Sequence, residues 1–181
     1  MKNVRVLDCT LRDGGRIIDC AFEDQEIKEI AQRLEEANID IIEVGFIRDG
    51  RKVHYEGNST FFTDVNQIKP FIKRDNPNAI YTAFIDYGMC DIDNLGEYDG
   101  SSIDAIRFGF TKKNYDEEKE EVLRWIRIIK EKGYKLFIQG VNSLNYSDRE
   151  LLEIVDMVNE VHPYSFGIVD TYGAMYMDGV D

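Results

Sequence analysis

Histidine is nearly absent. The chain holds two, His54 and His162, far apart, so no paired-imidazole motif can be drawn from them. Cysteine is also scarce. Cys9, Cys20 and Cys90 form an odd, scattered set without a C-x-x-C spacing. That argues against a disulfide framework or a thiolate zinc site, and for reduced thiols in a cytoplasmic protein. Cations are outnumbered, with 22 Lys and Arg against 35 Asp and Glu. Phosphate backbones need clustered cations, so a nucleic-acid partner is not expected. Long apolar runs are missing, which argues against a bilayer span. Residues 1–7 lack a signal-peptide layout and run straight into a strand-like pattern.

What the chain does have is a regular alternation. With 181 residues it is long enough for one domain with a substantial core, taken here as residues 1–181. Residues 4–9 read as a first strand. Residues 23–37 follow as a helix, because Ile27, Ile30, Ala31 and Leu34 recur at helical spacing on one face. Residues 39–46 read as a second strand, 60–73 as a weaker helix interrupted by Pro70, and 79–85 as a third strand. The acidic stretch 91–102 is expected to be short and irregular. Residues 105–110 form a fourth strand. A helix over 116–132 then buries Val122, Trp125, Ile126 and Ile129. A fifth strand covers 135–141. Ser147 and Glu150 make a capping box that starts a helix running to about Val161, and a sixth strand covers 165–170.

Strand and helix alternate with a period of about thirty residues, the signature of β-α-β units on a parallel sheet. Right-handed crossovers allow an open doubly wound sheet or a barrel. The glycine-rich dinucleotide fingerprint is missing after the first strand, which weakens the open-sheet reading. The expected fold is therefore α/β, a (β/α)8 barrel of which six strands are present. Such a barrel has unsealed strand edges, so the expectation is a fragment or a homo-oligomer in which another copy supplies the missing wall.

In parallel α/β folds, sites form at the carboxyl ends of the strands. There the sequence offers Asp8, Arg12 and Asp13 on the first strand, Glu43 on the second and Arg107 on the fourth. Gln139 and Asn142 follow on the fifth, and Asp170 with Thr171 and Tyr172 on the sixth. Ionised residues in apolar strands are rarely buried unless paired or bound to metal. Asp13 can supply an oxygen ligand and Arg12 a fixed cation, with Glu43, Asp170 and Asp8 as supports for Arg12. The alternative is structural: Arg12 and Asp13 as turn residues beside Gly14 and Gly15, with ion pairs that merely hold a barrel interior together.

The run Asp8-Cys9-Thr10-Leu11-Arg12-Asp13-Gly14-Gly15 resembles the D-x-T-L-R-D-G motif of the metal-dependent carbon–carbon lyases and Claisen-type synthases. That family includes hydroxymethylglutaryl-CoA lyase, 4-hydroxy-2-oxovalerate aldolase, isopropylmalate synthase and homocitrate synthase. Ile41-Ile42-Glu43-Val44-Gly45-Phe46 is similar to the family's second strand, and Asp170-Thr171-Tyr172-Gly173 to its D-T-x-G strand end. The resemblance spans the chain and keeps the motifs in order. It implies that Asp13 is a metal-binding carboxylate and that Arg12 stabilises an enolate oxygen. The metal it implies is Mn2+ or Mg2+. Glu43 and Asp170 would take supporting positions, with Asp8, Arg107 and Gln139 supporting or touching a small-molecule substrate.

There are departures. The family's further metal ligands form an H-x-H pair on a seventh strand, beyond the last residue of this sequence, and neither histidine here stands in such a pair. Both read as surface residues. Condensing enzymes of the family continue R-D-G-E-Q, whereas this chain has Gly15 and Arg16. Oxovalerate aldolases carry a catalytic histidine where Arg16 stands. Arg16 recognises a carboxylate or phosphate, or faces solvent. Tyr172 is either a proton carrier or a packing residue. Three readings follow: an aldolase-like lyase acting through the enolate of a 2-oxo acid or acyl group, a Claisen-type acyltransferase, or a non-catalytic barrel module that binds a partner.

Overall fold

A computed structural model describes residues 4–51 and 59–176. Among the described residues, seven parallel strands form one curled sheet in the manner of a partial (β/α) barrel. They are β1 (Leu7–Asp8), β2 (Ile41–Ile47), β3 (Phe61–Phe62), β4 (Ile80–Asp86), β5 (Ala105–Thr111), β6 (Lys135–Val141) and β7 (Ser165–Ile168). Their order is β1-β2-β4-β5-β6-β7, and β3 pairs with β2. Among the described residues, three α-helices cover the outer face: α1 (Asp24–Glu36), α2 (Lys112–Glu131) and α3 (Asp148–Val161).

Side-chain alternation separates two interiors. Outward residues such as Ile42, Val44, Ala83, Ile106, Phe108 and Ile138 form the large core with Ile27, Val122, Trp125 and Ile154 of the helices. Inward residues form layers. Ile41, Ile80, Ala105 and Phe137 close the lower end, while Phe46 and Phe84 lie at the upper end with Cys20. Between them the inward positions carry Glu43, Thr82, Arg107 and Gln139, so the middle layer is polar. Below it, Arg5 donates to the Tyr164 hydroxyl, a contact that bridges the lower ends of the first and last strands.

Three expected elements differ. The first strand pairs over two residues only, because the chain turns at Thr10. The β2 edge it leaves is taken by β3, with Phe46 opposite Phe61. Residues 60–73 do not form an α-helix. After β3 they wind as a 3-10 helix, Val65–Phe71, that contains Pro70. Proline lacks the N–H that an α-helical turn needs and crowds the carbonyl four residues back. The helix expected from residue 116 starts at Lys112, where Thr111 and Asn114 cap each other, and it is broken by a non-helical Glu118. The Ser147–Glu150 capping box forms as expected.

The second strand departs from simple alternation. Glu43 pairs with Thr82 and Phe46 with Phe84, so β2 carries one more residue than β4 over this stretch. This bulge sits at Gly45, whose φ is +152°. A Cβ there would lie 2.1 Å from the Thr60 carbonyl oxygen. Glycine therefore allows the close approach in which the Phe46 amide donates to that same oxygen at 2.9 Å. The extra residue turns Phe46 inward, whereas strict alternation from Glu43 would point it outward.

Candidate active site

The site begins with the turn after β1. The Cys9 carbonyl accepts three successive amides, Arg12 at 3.0 Å, Asp13 at 2.8 Å and Gly14 at 3.1 Å. The Asp8 carboxylate accepts from the Thr10 amide and hydroxyl. Leu11 is fully buried, and the Thr60 hydroxyl donates to its carbonyl at 2.6 Å. With the backbone fixed on both sides, the Arg12 side chain is committed to the barrel mouth.

Inside, a ladder of charges crosses the sheet. Glu43 is fully buried and its two oxygens are divided. One accepts from Arg12 Nε, the other from Arg107 Nη1 at 2.5 Å. Arg107 Nη2 donates on to Gln139 Oε1 at 3.2 Å. Arg12 also donates from Nη1 to Asp13 Oδ1 at 2.8 Å. Its side chain is 11 % exposed and that of Arg107 is 13 % exposed. Burial works against the Arg12 cation, but the charge and hydrogen bond of Glu43, with Asp13 behind it, outweigh that and bind its proton more tightly than usual. Aromatic faces supply the rest of its surroundings: the guanidinium lies 4.7 Å from the Phe84 ring centroid and 5.7 Å from that of Phe46.

Two largely buried guanidiniums share one fully buried carboxylate, Glu43. The ladder opens on a cavity of about 470 Å³ lined by Arg12, Asp13, Arg16, Phe84, Asp86, Arg107, Gln139, Asp170 and Thr171. Fixed guanidinium donors at the cavity wall favour an anion or a developing oxyanion.

Of the three carboxylates expected around Arg12, Glu43 bonds it and the other two have local work. Asp8 holds the turn at Thr10. Asp170 lines the cavity but accepts from the amides of Ala174 and Met175, and these backbone donors, Met175 first, hold its carboxyl below the usual range. Arg107 and Gln139 join the ladder. The Asn142 amide donates to the Thr171 hydroxyl at 2.8 Å, tying the ends of the last two strands together. Tyr172 is 76 % exposed. His162 terminates α3 with a left-handed backbone, and His54 lies outside the described residues. Sequence reasoning missed the aromatic floor of Phe46 and Phe84 and the ion pair of Arg48 with Asp86 at 2.7 Å. Only the inward alternation of β4 hinted at Phe84; nothing in the sequence marks the turn of Phe46.

Gly15 is buried, and a Cβ on it would meet Phe22 at 2.7 Å and Cys20 at 3.2 Å. A glutamate at this position, as the condensing enzymes carry, would displace both. Asp13 has one oxygen, Oδ1, shared by Arg12 and Arg16, and among the described residues no group of three or more His, Cys, Asp or Glu could hold a metal ion. The described residues alone therefore do not fit a complete metal centre.

Comparison with known proteins gives these features a family setting. The sequence model of the HMGL-like family matches residues 3–181. Homocitrate synthase AksA of Methanocaldococcus jannaschii is 24% identical over 96% of this chain and 42% of its own length. A probable 2-isopropylmalate synthase of Methanosarcina mazei is 25% identical over 96% of this chain and 33% of its own length. A putative (R)-citramalate synthase, CimA, of Methanopyrus kandleri is 26% identical over 98% of this chain and 34% of its own length. The chain thus spans between a third and about two fifths of these relatives. No helix among the described residues is long and apolar enough to cross a membrane.

Proposed function

The chain belongs to the HMGL-like family, and on that footing we propose that it carries the enolate-stabilising part of a carbon–carbon bond reaction on a 2-oxo acid or acyl substrate. The observation behind this reading is Arg12, held by Glu43 and Asp13 at the mouth of a cavity with buried positive charge. When the bond beside a carbonyl breaks, its electron pair moves into the carbonyl and negative charge grows on oxygen. Arg12 Nη2, which has no hydrogen-bond partner among the described residues, is the donor for that oxygen. Because its Nε and Nη1 are already held, no reorganisation is needed as the charge develops. Enzymes of this family generally depend on a divalent metal, and Asp13 is the residue here assigned to it, with Mn2+ or Mg2+ suited to an oxygen ligand.

The direction of the reaction separates two readings. Cleavage by an aldolase-like lyase is favoured by Gly15, whose surroundings leave no room for the glutamate of the condensing enzymes. Condensation by a Claisen-type acyltransferase is favoured by the relatives, which are named as synthases. Two assays with Mn2+ decide between them. Release of a 2-oxo acid from 4-hydroxy-2-oxo acids supports the lyase, and release of free thiol from acetyl-CoA with a 2-oxo acid supports the acyltransferase. Activity in neither assay leaves the binding-module reading.

A further inference from the structure

Arg16 stands at the cavity mouth outside the Glu43 ladder, and the enolate chemistry proposed above does not use it. Its Nε donates to Asp13 Oδ1 at 2.9 Å, the same oxygen that accepts from Arg12 Nη1 at 2.8 Å. Its guanidinium lies 5.3 Å from the centroid of the Phe46 ring, and its side chain is 59% exposed. Nη1 and Nη2 have no hydrogen-bond partner among the described residues, and the residue lines the cavity.

The charges of this cluster do not balance. Arg12, Arg16 and Arg107 are joined through Asp13 and Glu43, three cations to two anions. Two further carboxylates line the cavity: Asp86 pairs with Arg48, and Asp170 is held ionised by its turn amides. Asp13 and the Phe46 ring hold Arg16 on the same side as Arg12. A guanidinium pinned at Nε keeps its two Nη groups as a planar fork, the geometry that takes a carboxylate or phosphate in two parallel bonds.

We propose that Arg16 binds a second anionic group of the substrate, a carboxylate or phosphate remote from the reacting carbonyl, so that the site selects doubly charged 2-oxo acids over singly charged ones. This rests on the enolate reading above. Arg12 takes the reacting end and Arg16 the far end, with Asp13 setting their separation. The position that the aldolases fill with a catalytic histidine then serves specificity.

The test is calorimetric titration of the whole chain with three acids that differ only in the tail: pyruvate with none, oxaloacetate with a carboxylate and phosphonopyruvate with a phosphonate. Wild type should bind at least one of the charged-tail acids about ten-fold or more tighter than pyruvate, the scale of a hydrogen bond to a charged group. Whichever tail is preferred identifies the anion. In Arg16→Gln that advantage should collapse to less than about three-fold while pyruvate binding stays within about two-fold, and Arg16→Lys should recover part of it. The side chain is largely exposed, and unchanged melting would show that both variants fold. Equal affinity of wild type for all three acids, or an advantage that survives in Arg16→Gln, overturns the assignment and leaves the enolate reading in place. If none of the acids binds wild type, both fall together.

Discussion

Glu43 gives one carboxylate oxygen to Arg12 and the other to Arg107, and so holds two cations, one from the turn after β1 and one from β5, with one buried charge. Neither arginine has an equivalent buried anion elsewhere among the described residues. The turn that follows the first strand is thereby locked to the fifth strand through a residue of the second.

Replacing Glu43 with Gln should therefore be costly. Two guanidiniums would lose their buried counter-charge, a change worth about 3–5 kcal/mol when one partner of a buried pair is removed. Urea unfolding of the variant measures it. A loss below about 1 kcal/mol would mean that solvent already screens the ladder.

Arg12→Lys keeps a cation beside Glu43 but loses the fork. Turnover in whichever carbon–carbon assay is positive should fall by about 10²–10³, the scale of losing one oxyanion donor. Cooperative unfolding should be retained. Wild-type turnover in this variant would remove Arg12 from the chemistry.

Gly45→Ala places a Cβ against the Thr60 carbonyl oxygen and asks an L-residue to hold a positive φ. The expected cost is about 2–4 kcal/mol, from overpacking and backbone strain together. Thermal melting reads it. An unchanged melting temperature would mean that the bulge relaxes without cost, and that Phe46 is not fixed inward by it.

Cys9 and Cys20 are free thiols whose pKa is pushed up, first by burial in both cases. A raised folded-state pKa stabilises the protein fully below the unfolded value of 9.0 and is lost as pH rises above it. At pH 8 iodoacetamide should label both at least about ten-fold more slowly in the native protein than in urea. Equal rates would show that the turn around Cys9 opens readily.

Glu150 is held down to about 2, first by Lys112 and then by Ser147, the partner in its capping box. A depressed carboxylate stabilises the fold above its unfolded value of 4.5, and that contribution fades as pH falls toward 2. Wild type should melt above Glu150→Gln at pH 6, and the gap should narrow steadily as pH falls from about 4.5 toward 2. A gap independent of pH would assign Glu150 a role without charge.

Much of the architecture could be read from residue order. The apolar spacing of Ile27, Ala31 and Leu34 located α1, and the β-branched and apolar runs located β2, β4, β5 and β6 to within a residue or two. These patterns are local: a helix or strand must bury one face, and that need is written in its own period. The site was legible in part for the same reason, because Arg12 and Asp13 follow a strand and Glu43 is a charge in an otherwise apolar one.

Partner choice was not legible. Asp8 is close to Arg12 in sequence yet binds Thr10, while Glu43 reaches Arg12 across the sheet. Nor could residues 60–73 be assigned from their apolar spacing, since β1 stops short and leaves a β2 edge for Phe61 and Phe62.

The sequence by itself determined the alternation of strands and helices and the residue types that face the barrel interior. The tertiary structure decided which of those residues meet. A side chain's face follows its position in a strand only while the register is unbroken, and the bulge at Gly45 breaks it. That one extra residue brings Phe46 under Arg12, and an insertion of this kind exists only relative to the neighbouring strand.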